Sequence, residues 1–189
     1  MVLAQQAINN DFTVEILKYP TEEDWMLSKI CALNTVGKHS TKLPDAEWRH
    51  KLLLSEHSPD RVLNFLIRIV VPYYVSVHFC RHFTGVTHFV QSQRNDRQDN
   101  YDRTKAPQDA PVSHIMYINA QELMFMSRRR LCTQADPFTC KVMNKICSEV
   151  IKVCPEFDGC FEPMCSYRGG RCTEFNCCGL NKQYIFKEE

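Results

Sequence analysis

Apolar residues along this chain fall into two rhythms, alternation and a four-residue repeat, separated by short polar breaks. Phe12 to Lys18 (FTVEILK) alternates as a half-buried strand does, and Pro20 stops it. Thr21 is a helix cap followed by acidic residues, which predicts a helix over Glu22–Leu33. After a polar loop from Gly37 to Leu43, Pro44 and Asp45 start a second helix to about Leu54. Ser58-Pro59 is a break, because the residue before proline is pushed out of the helical region. Arg61 to Val71 (RVLNFLIRIVV) is rich in β-branched and aromatic residues and reads as a strand. Pro72 fits the first turn of a buried helix that ends at Arg81-His82. A glycine-containing loop and a polar run, Gln91-Ser92-Gln93-Arg94, follow.

The second half is punctuated in the same way. Gln93 to Ala110 is the most polar stretch and is expected as surface loop, either disordered or facing a ligand. Val112 to Ile118 (VSHIMYI) reads as a strand and Asn119 to Leu131 as a helix. Asp136-Pro137 opens a helix in which Phe138, Val142, Ile146 and Val150 recur every four residues, a core-facing stripe that ends near Pro155.

Composition adds limits. In 189 residues, 44% are hydrophobic and 24% charged, an ordinary soluble balance with room for one domain and a small appendage. A net charge of +1 supplies no global field for nucleic acid or an anionic membrane, so neither partner is expected and any basic site must be local. The start, MVLAQQAINNDF, has no basic segment ahead of a long apolar run, and no apolar stretch reaches the length of a membrane span. A cytoplasmic protein is expected. Of the eleven cysteines, six crowd the segment from Cys154 to Cys178. In a reducing compartment these read as metal ligands or buried thiols rather than disulfides. Cys160, Cys165, Cys172 and Cys177 could supply a tetrahedral Zn²⁺ site, with reduced or redox-active thiols as the alternative.

The chemistry concentrates around Arg81-His82. A buried helix that ends in Arg-His and turns into amides, a hydroxyl and another arginine is a candidate anion site, since guanidinium offers a planar fork of donors. The competing reading pairs Arg81 with a carboxylate and leaves His82 as a core histidine. Arg128, Arg129 and Arg130 likewise suit the C-terminal end of a helix dipole.

In order along the chain stand Ser58-Pro59, Arg81-His82-Phe83, Ser92-Gln93-Arg94 after eight further residues, Arg103 with Pro107, and Asn119-Ala120-Gln121 opening the helix that carries Arg130. This ordered set resembles the flavin-dependent thymidylate synthases, the ThyX family, over roughly Ser58 to Cys154. The resemblance implies an α+β catalytic domain over residues 1–154, assembled as a homotetramer, with residues 155–189 as a small cysteine-rich tail. It implies reductive methylation of dUMP to dTMP, with FAD as cofactor and NADPH and methylenetetrahydrofolate as co-substrates. By the same resemblance Ser58, Arg81, His82, Asn119 and Gln121 would contact FAD. His78, Arg81, Gln91, Ser92, Gln93, Arg94, Arg103 and Arg130 would bind the nucleotide, and Arg130 would be catalytic. The chain departs from the family pattern at His78, Phe83, Val90 and Gln121, has one extra residue before Ser92, and is short between Arg94 and Arg103. These departures leave open a catalytically altered nucleotide- or flavin-binding protein, or action on a different pyrimidine nucleotide.

Overall fold

A computed structural model describes residues 12–97 and 102–180 and the backbone of 183–184. Residues 98–101 of the expected polar loop and the last residues of the cysteine-rich tail lie outside the described residues.

The centre is a four-stranded antiparallel sheet in the order β1 (Thr13–Lys18), β2 (Asn64–Pro72), β4 (Pro111–Asn119), β3 (Val86–Val90). Alternation decides which side is buried. Phe65, Ile67, Ile69 and Val71 of β2 all point to one face and are fully buried. Their partners on β4 are Ile118, Met116, His114 and Val112, so a histidine lies among apolar residues on the core face. On β3, Val86 and His88 lie opposite Ile118 and Met116, which puts His88 on the same face, diagonal to His114.

Helices cover that face. Each long helix begins where a polar side chain takes over an orphan backbone donor. Thr21 and Asp24 form a reciprocal cap at the start of α1 (Glu22–Asn34), and Asp45 accepts from Trp48 at the start of α2 (Ala46–Ser55). Asn119 opens α4 (Ala120–Arg130), and Asp136 opens α5 (Pro137–Val153). The stripe on α5 is as expected: Val142, Ile146 and Val150 are fully buried and Phe138 packs at the core's edge. Fully burying each such aliphatic side chain is worth about 1.5–3 kcal/mol. After α5 the chain turns back, and Phe157 stacks on Phe161 and meets Phe65 edge-on inside the core. A short helix, α6 (Met164–Tyr167), and a two-stranded parallel ladder of β5 (Arg171–Cys172) with β6 (Gln183–Tyr184) complete the described chain.

Three expectations change. Ser58–Val62 forms a turn of 3₁₀ helix, so β2 starts at Asn64 rather than Arg61. Pro72 is the last residue of β2 and caps α3 (Tyr73–Cys80) from outside, because it keeps an extended conformation with ψ 143°. The segment expected as a loop after Gly85 contains β3, whose five residues alternate half-buried and exposed on an edge strand. Among the described residues no helix is long and apolar enough to cross a membrane.

Candidate active site

α4 and the end of α3 meet over the sheet. One face of α4 carries Glu122, Phe125, Arg129 and Arg130, spaced so that they line up along two turns of helix. Opposite stand Arg81, His82 and Phe83 at the exit of α3. The cleft between them has a volume of about 390 Å³ and is closed at one side by Glu174 from the tail.

A chain of hydrogen bonds fixes its floor. His82 is buried, and its Nδ1 lies 2.9 Å from Oε1 of buried Glu122. Arg130 donates from Nε to His82 Nε2 at 3.1 Å and from Nη2 to the carbonyl of His78 at 2.5 Å. A guanidinium can only donate, so His82 Nε2 accepts, and the ring proton sits on Nδ1, where it is donated to Glu122. Arg130 is thus held by two acceptors, and among the described residues nothing accepts from its Nη1. Burial, and then the like charges of Arg81 and Arg129, push the Arg130 pKa down. The carboxylates present are engaged: Glu122 by His82, and Glu174 by Arg129 at 3.9 Å. Three guanidiniums against two carboxylates, one of them met by Arg129 itself, leave the cleft with an excess of positive charge that favours an anion.

The α4 end of the cleft is set by close packing. Asn119 Oδ1 accepts from Glu122 N at 2.9 Å, its backbone N–H donates to Gly85 O at 3.0 Å, and Ala120 N donates to Leu63 O at 2.8 Å. Gly85 has φ +74°, and a Cβ there would lie 2.5 Å from Asn119 Nδ2, so only glycine fits.

The residues singled out in the sequence separate into two groups. Arg81, His82 and Arg130 come together in the cleft, and His78 joins them through its carbonyl, its ring being turned to Thr139 at 2.7 Å. Burial is also what pushes the His78 pKa down. The others lie elsewhere. Asn119 serves as the helix cap; Gln121 accepts from Arg61 Nε at 2.7 Å and donates to Glu56 O; Ser58 is exposed at the start of the 3₁₀ turn. Gln91 accepts from Ser113 N beyond β3. The Ser92 hydroxyl receives the Arg94 backbone N–H, the Arg94 side chain forks onto Asp96 at 2.8 and 2.7 Å, and Gln93 is half-buried. Arg103 is exposed and its backbone N–H donates to Asn95 Oδ1. Within one chain these phosphate candidates do not reach the cleft formed by Arg81 and Arg130.

The four tail cysteines do not form a single cluster either. Cys172 and Cys177 interact, with Cys165 near them, but Cys160 points to the carbonyls of Glu156 and Asp158 at 3.8 and 4.0 Å. Burial pushes the Cys160 pKa up to about 12. Glu122, Arg129 and Glu174 are the cleft residues that sequence reasoning passed over. For Glu122 a signal exists: it lies eight residues before Arg130 and so on the same helix face.

The fold and cleft define an α+β domain with a three-arginine groove at the junction of two helices. No family model matches the chain and no curated protein matches it. Among solved structures it is similar to a UMP/dUMP methylase, PolB from Streptomyces cacaoi, in crystals bound with 5-Br dUMP and with 5-Br UMP. For the first, the TM-score is 0.62 at 13% identity over 79% of this chain and 94% of that one. For the second, the TM-score is 0.59 at 14% identity over 79% and 93%. At such identity the likeness shows the fold.

Proposed function

We propose that the chain methylates a uridine-type mononucleotide, by the reductive route implied by its resemblance to the flavin-dependent thymidylate synthases: dUMP to dTMP, or the corresponding change on UMP. The carrying observation is Arg130, clamped by His82 and His78 in a cleft shared with Arg81 and Arg129. The shared fold with a UMP/dUMP methylase supports the reading.

The donor set fits a phosphate-bearing ligand: Arg81 and Arg130, with Arg129 meeting Glu174 beside them, and the ring of Phe125 as an apolar face for a planar base. The same features fit the phosphates and ring system of FAD, which Arg81 and Phe125 would hold, with His82 bracing Arg130 behind them. Methylenetetrahydrofolate supplies the carbon, NADPH the electrons, and FAD, when bound, carries the hydride that completes the methyl group. The protein's own work is orientation and charge. Arg130 stabilises negative charge developing on the pyrimidine ring, from a position fixed before the reaction begins. Glu122 holds the His82 tautomer that leaves Nε2 free to accept from Arg130. Phe83 is 83% exposed at the rim, a large apolar side chain that supports closure by a second copy in a homotetramer.

Purified protein should take up FAD, show its visible absorbance, and form dTMP or the methylated ribonucleotide when given the folate and NADPH. Arg130→Ala should lose about a hundredfold or more in turnover with unchanged circular dichroism. Protein that takes up no flavin, or an Arg130→Ala variant that turns over normally, overturns the reading. Nucleotide and flavin binding without turnover would instead identify the catalytically altered alternative, consistent with the departure from the family pattern at Phe83.

A further inference from the structure

Behind the cleft, on the core face of the sheet, lies a second group that the proposed reaction does not use. The donor atoms of Cys80, His88 and His114 all fall within 4.8 Å of one another. They come from three elements: the last residue of α3, the middle of β3 and the middle of β4. His114 is buried, His88 half-buried and Cys80 exposed, so the group opens to the surface on the cysteine side.

The hydrogen bonds of this group turn ring nitrogens toward one another. His88 Nε2 faces the carbonyl of His82 at 2.6 Å; a carbonyl only accepts, so Nε2 carries the proton and Nδ1 is a lone pair. That lone pair faces His114 Nε2 at 2.9 Å. The other nitrogen of His114, Nδ1, lies 3.0 Å from Ser76 Oγ. Without an ion, His114 Nε2–H donates to that lone pair and His114 Nδ1 accepts from the Ser76 hydroxyl; with a cation bound, Ser76 accepts from His114 Nδ1–H instead and His114 Nε2 becomes a second lone pair. Two nitrogen lone pairs and a sulfur turned toward a common point are the donor set of a cation. Ser76 and the His82 carbonyl supply the outer hydrogen bonds that fix imidazole orientation at such sites.

We propose that Cys80 Sγ, His88 Nδ1 and His114 Nε2 bind one Zn²⁺, with water in the fourth position on the exposed side. A nitrogen and sulfur donor set of this kind selects Zn²⁺ over Mg²⁺ or Ca²⁺. With bond lengths of about 2.0 Å to nitrogen and about 2.3 Å to sulfur, tetrahedral geometry needs the two nitrogens about 3.3 Å apart. The imidazoles therefore open slightly and the Cys80 thiolate turns inward. The thiol proton is released on binding, as thiolate ligation requires. The ion ties α3 to β3 and β4 immediately before Arg81 and His82, so it holds one wall of the cleft. It is separate from the cysteine-rich tail, and it stands whether or not the chain methylates a nucleotide.

The test uses the full chain, stripped with a chelator and titrated with Zn²⁺, and with Co²⁺ as a spectroscopic probe. The expected result is about one tightly held equivalent whose Co²⁺ form shows intense four-coordinate d–d bands and a thiolate charge-transfer band. Cys80→Ser and His88→Ala, the two accessible ligands, should each weaken binding by about tenfold or more and remove or alter those bands. Cys172→Ser should leave them unchanged. No bound equivalent, a spectrum without sulfur ligation, or binding lost in Cys172→Ser and kept in Cys80→Ser overturns the proposal.

Discussion

Replacing Asp60 with asparagine should stabilise the protein, and increasingly so as pH rises. Asp60 sits in the 3₁₀ turn after α2, fully buried, and among the described residues neither carboxyl oxygen has a hydrogen-bond partner. Burial, and then the neighbouring charge of Glu56, push its pKa from the ordinary 3.8 up to about 7. In the unfolded chain the group ionises above about pH 4; in the folded protein it keeps its proton until about pH 7. Raising pH through that window therefore favours unfolding: the stability is fully present below 3.8 and is lost as pH climbs through about 7. A difference of about three pKa units corresponds to about 4 kcal/mol as an upper limit. Relaxation and water penetration on ionisation reduce it, and about 2 kcal/mol is expected. Asparagine mimics the neutral acid and cannot ionise. Urea titrations of parent and Asp60→Asn at pH 4.5 and 8.5 isolate the effect, because every other titrating group contributes to both proteins. The gap in midpoint should widen by about 1 M urea toward alkaline pH, for an m-value of about 2 kcal/mol/M. A gap that stays constant, or narrows as pH rises, would show that Asp60 does not hold its proton in the folded state and would refute the reasoning.

Two further outcomes follow from the cleft. Gly85→Ala introduces a positive-φ alanine whose Cβ meets Asn119 Nδ2, so it should cost about 2 kcal/mol and lower Tm by about 6 °C, read by thermal unfolding. Glu122→Gln keeps an acceptor for His82 Nδ1–H and should lower kcat by less than about tenfold, whereas Glu122→Leu frees the ring that braces Arg130 and should lower it by about a hundredfold with nucleotide affinity largely kept. Equal kcat in the two variants would remove Glu122 from the positioning of Arg130.

Much of the fold is legible because its start signals are local. Thr21, Asp45, Asn119 and Asp136 each precede a helix in the sequence, and each accepts a backbone N–H in the structure. The stripe on α5 is equally local. β3 was not legible: five residues beside a glycine loop carry too little periodicity, and its identity as a strand comes from pairing with β4, 26 positions separating His88 from His114. The site divides in the same way. Arg81, His82 and Arg130 stand out by residue type, but the partner of His82 is Glu122, 40 residues away, and in sequence that acid shows its shared helix face with Arg130 but not its pairing with His82. The arginines beyond β3 show the converse. Arg94 has the residue type of a phosphate ligand, yet Asp96 two positions on takes both arms of its fork.

Asn119 has a consequence beyond capping. Its backbone N–H goes to Gly85, its side chain to Glu122, and the next amide to Leu63, so the lead-in to β2, the lead-in to β3 and the first turn of α4 are tied at one point. None of these segments can detach without disturbing the other two, which makes the junction a single cooperative unit. Arg130 projects from the far end of the helix anchored there, so in the proposed reaction it would meet the nucleotide from a helix whose first turn is already tied to both strands.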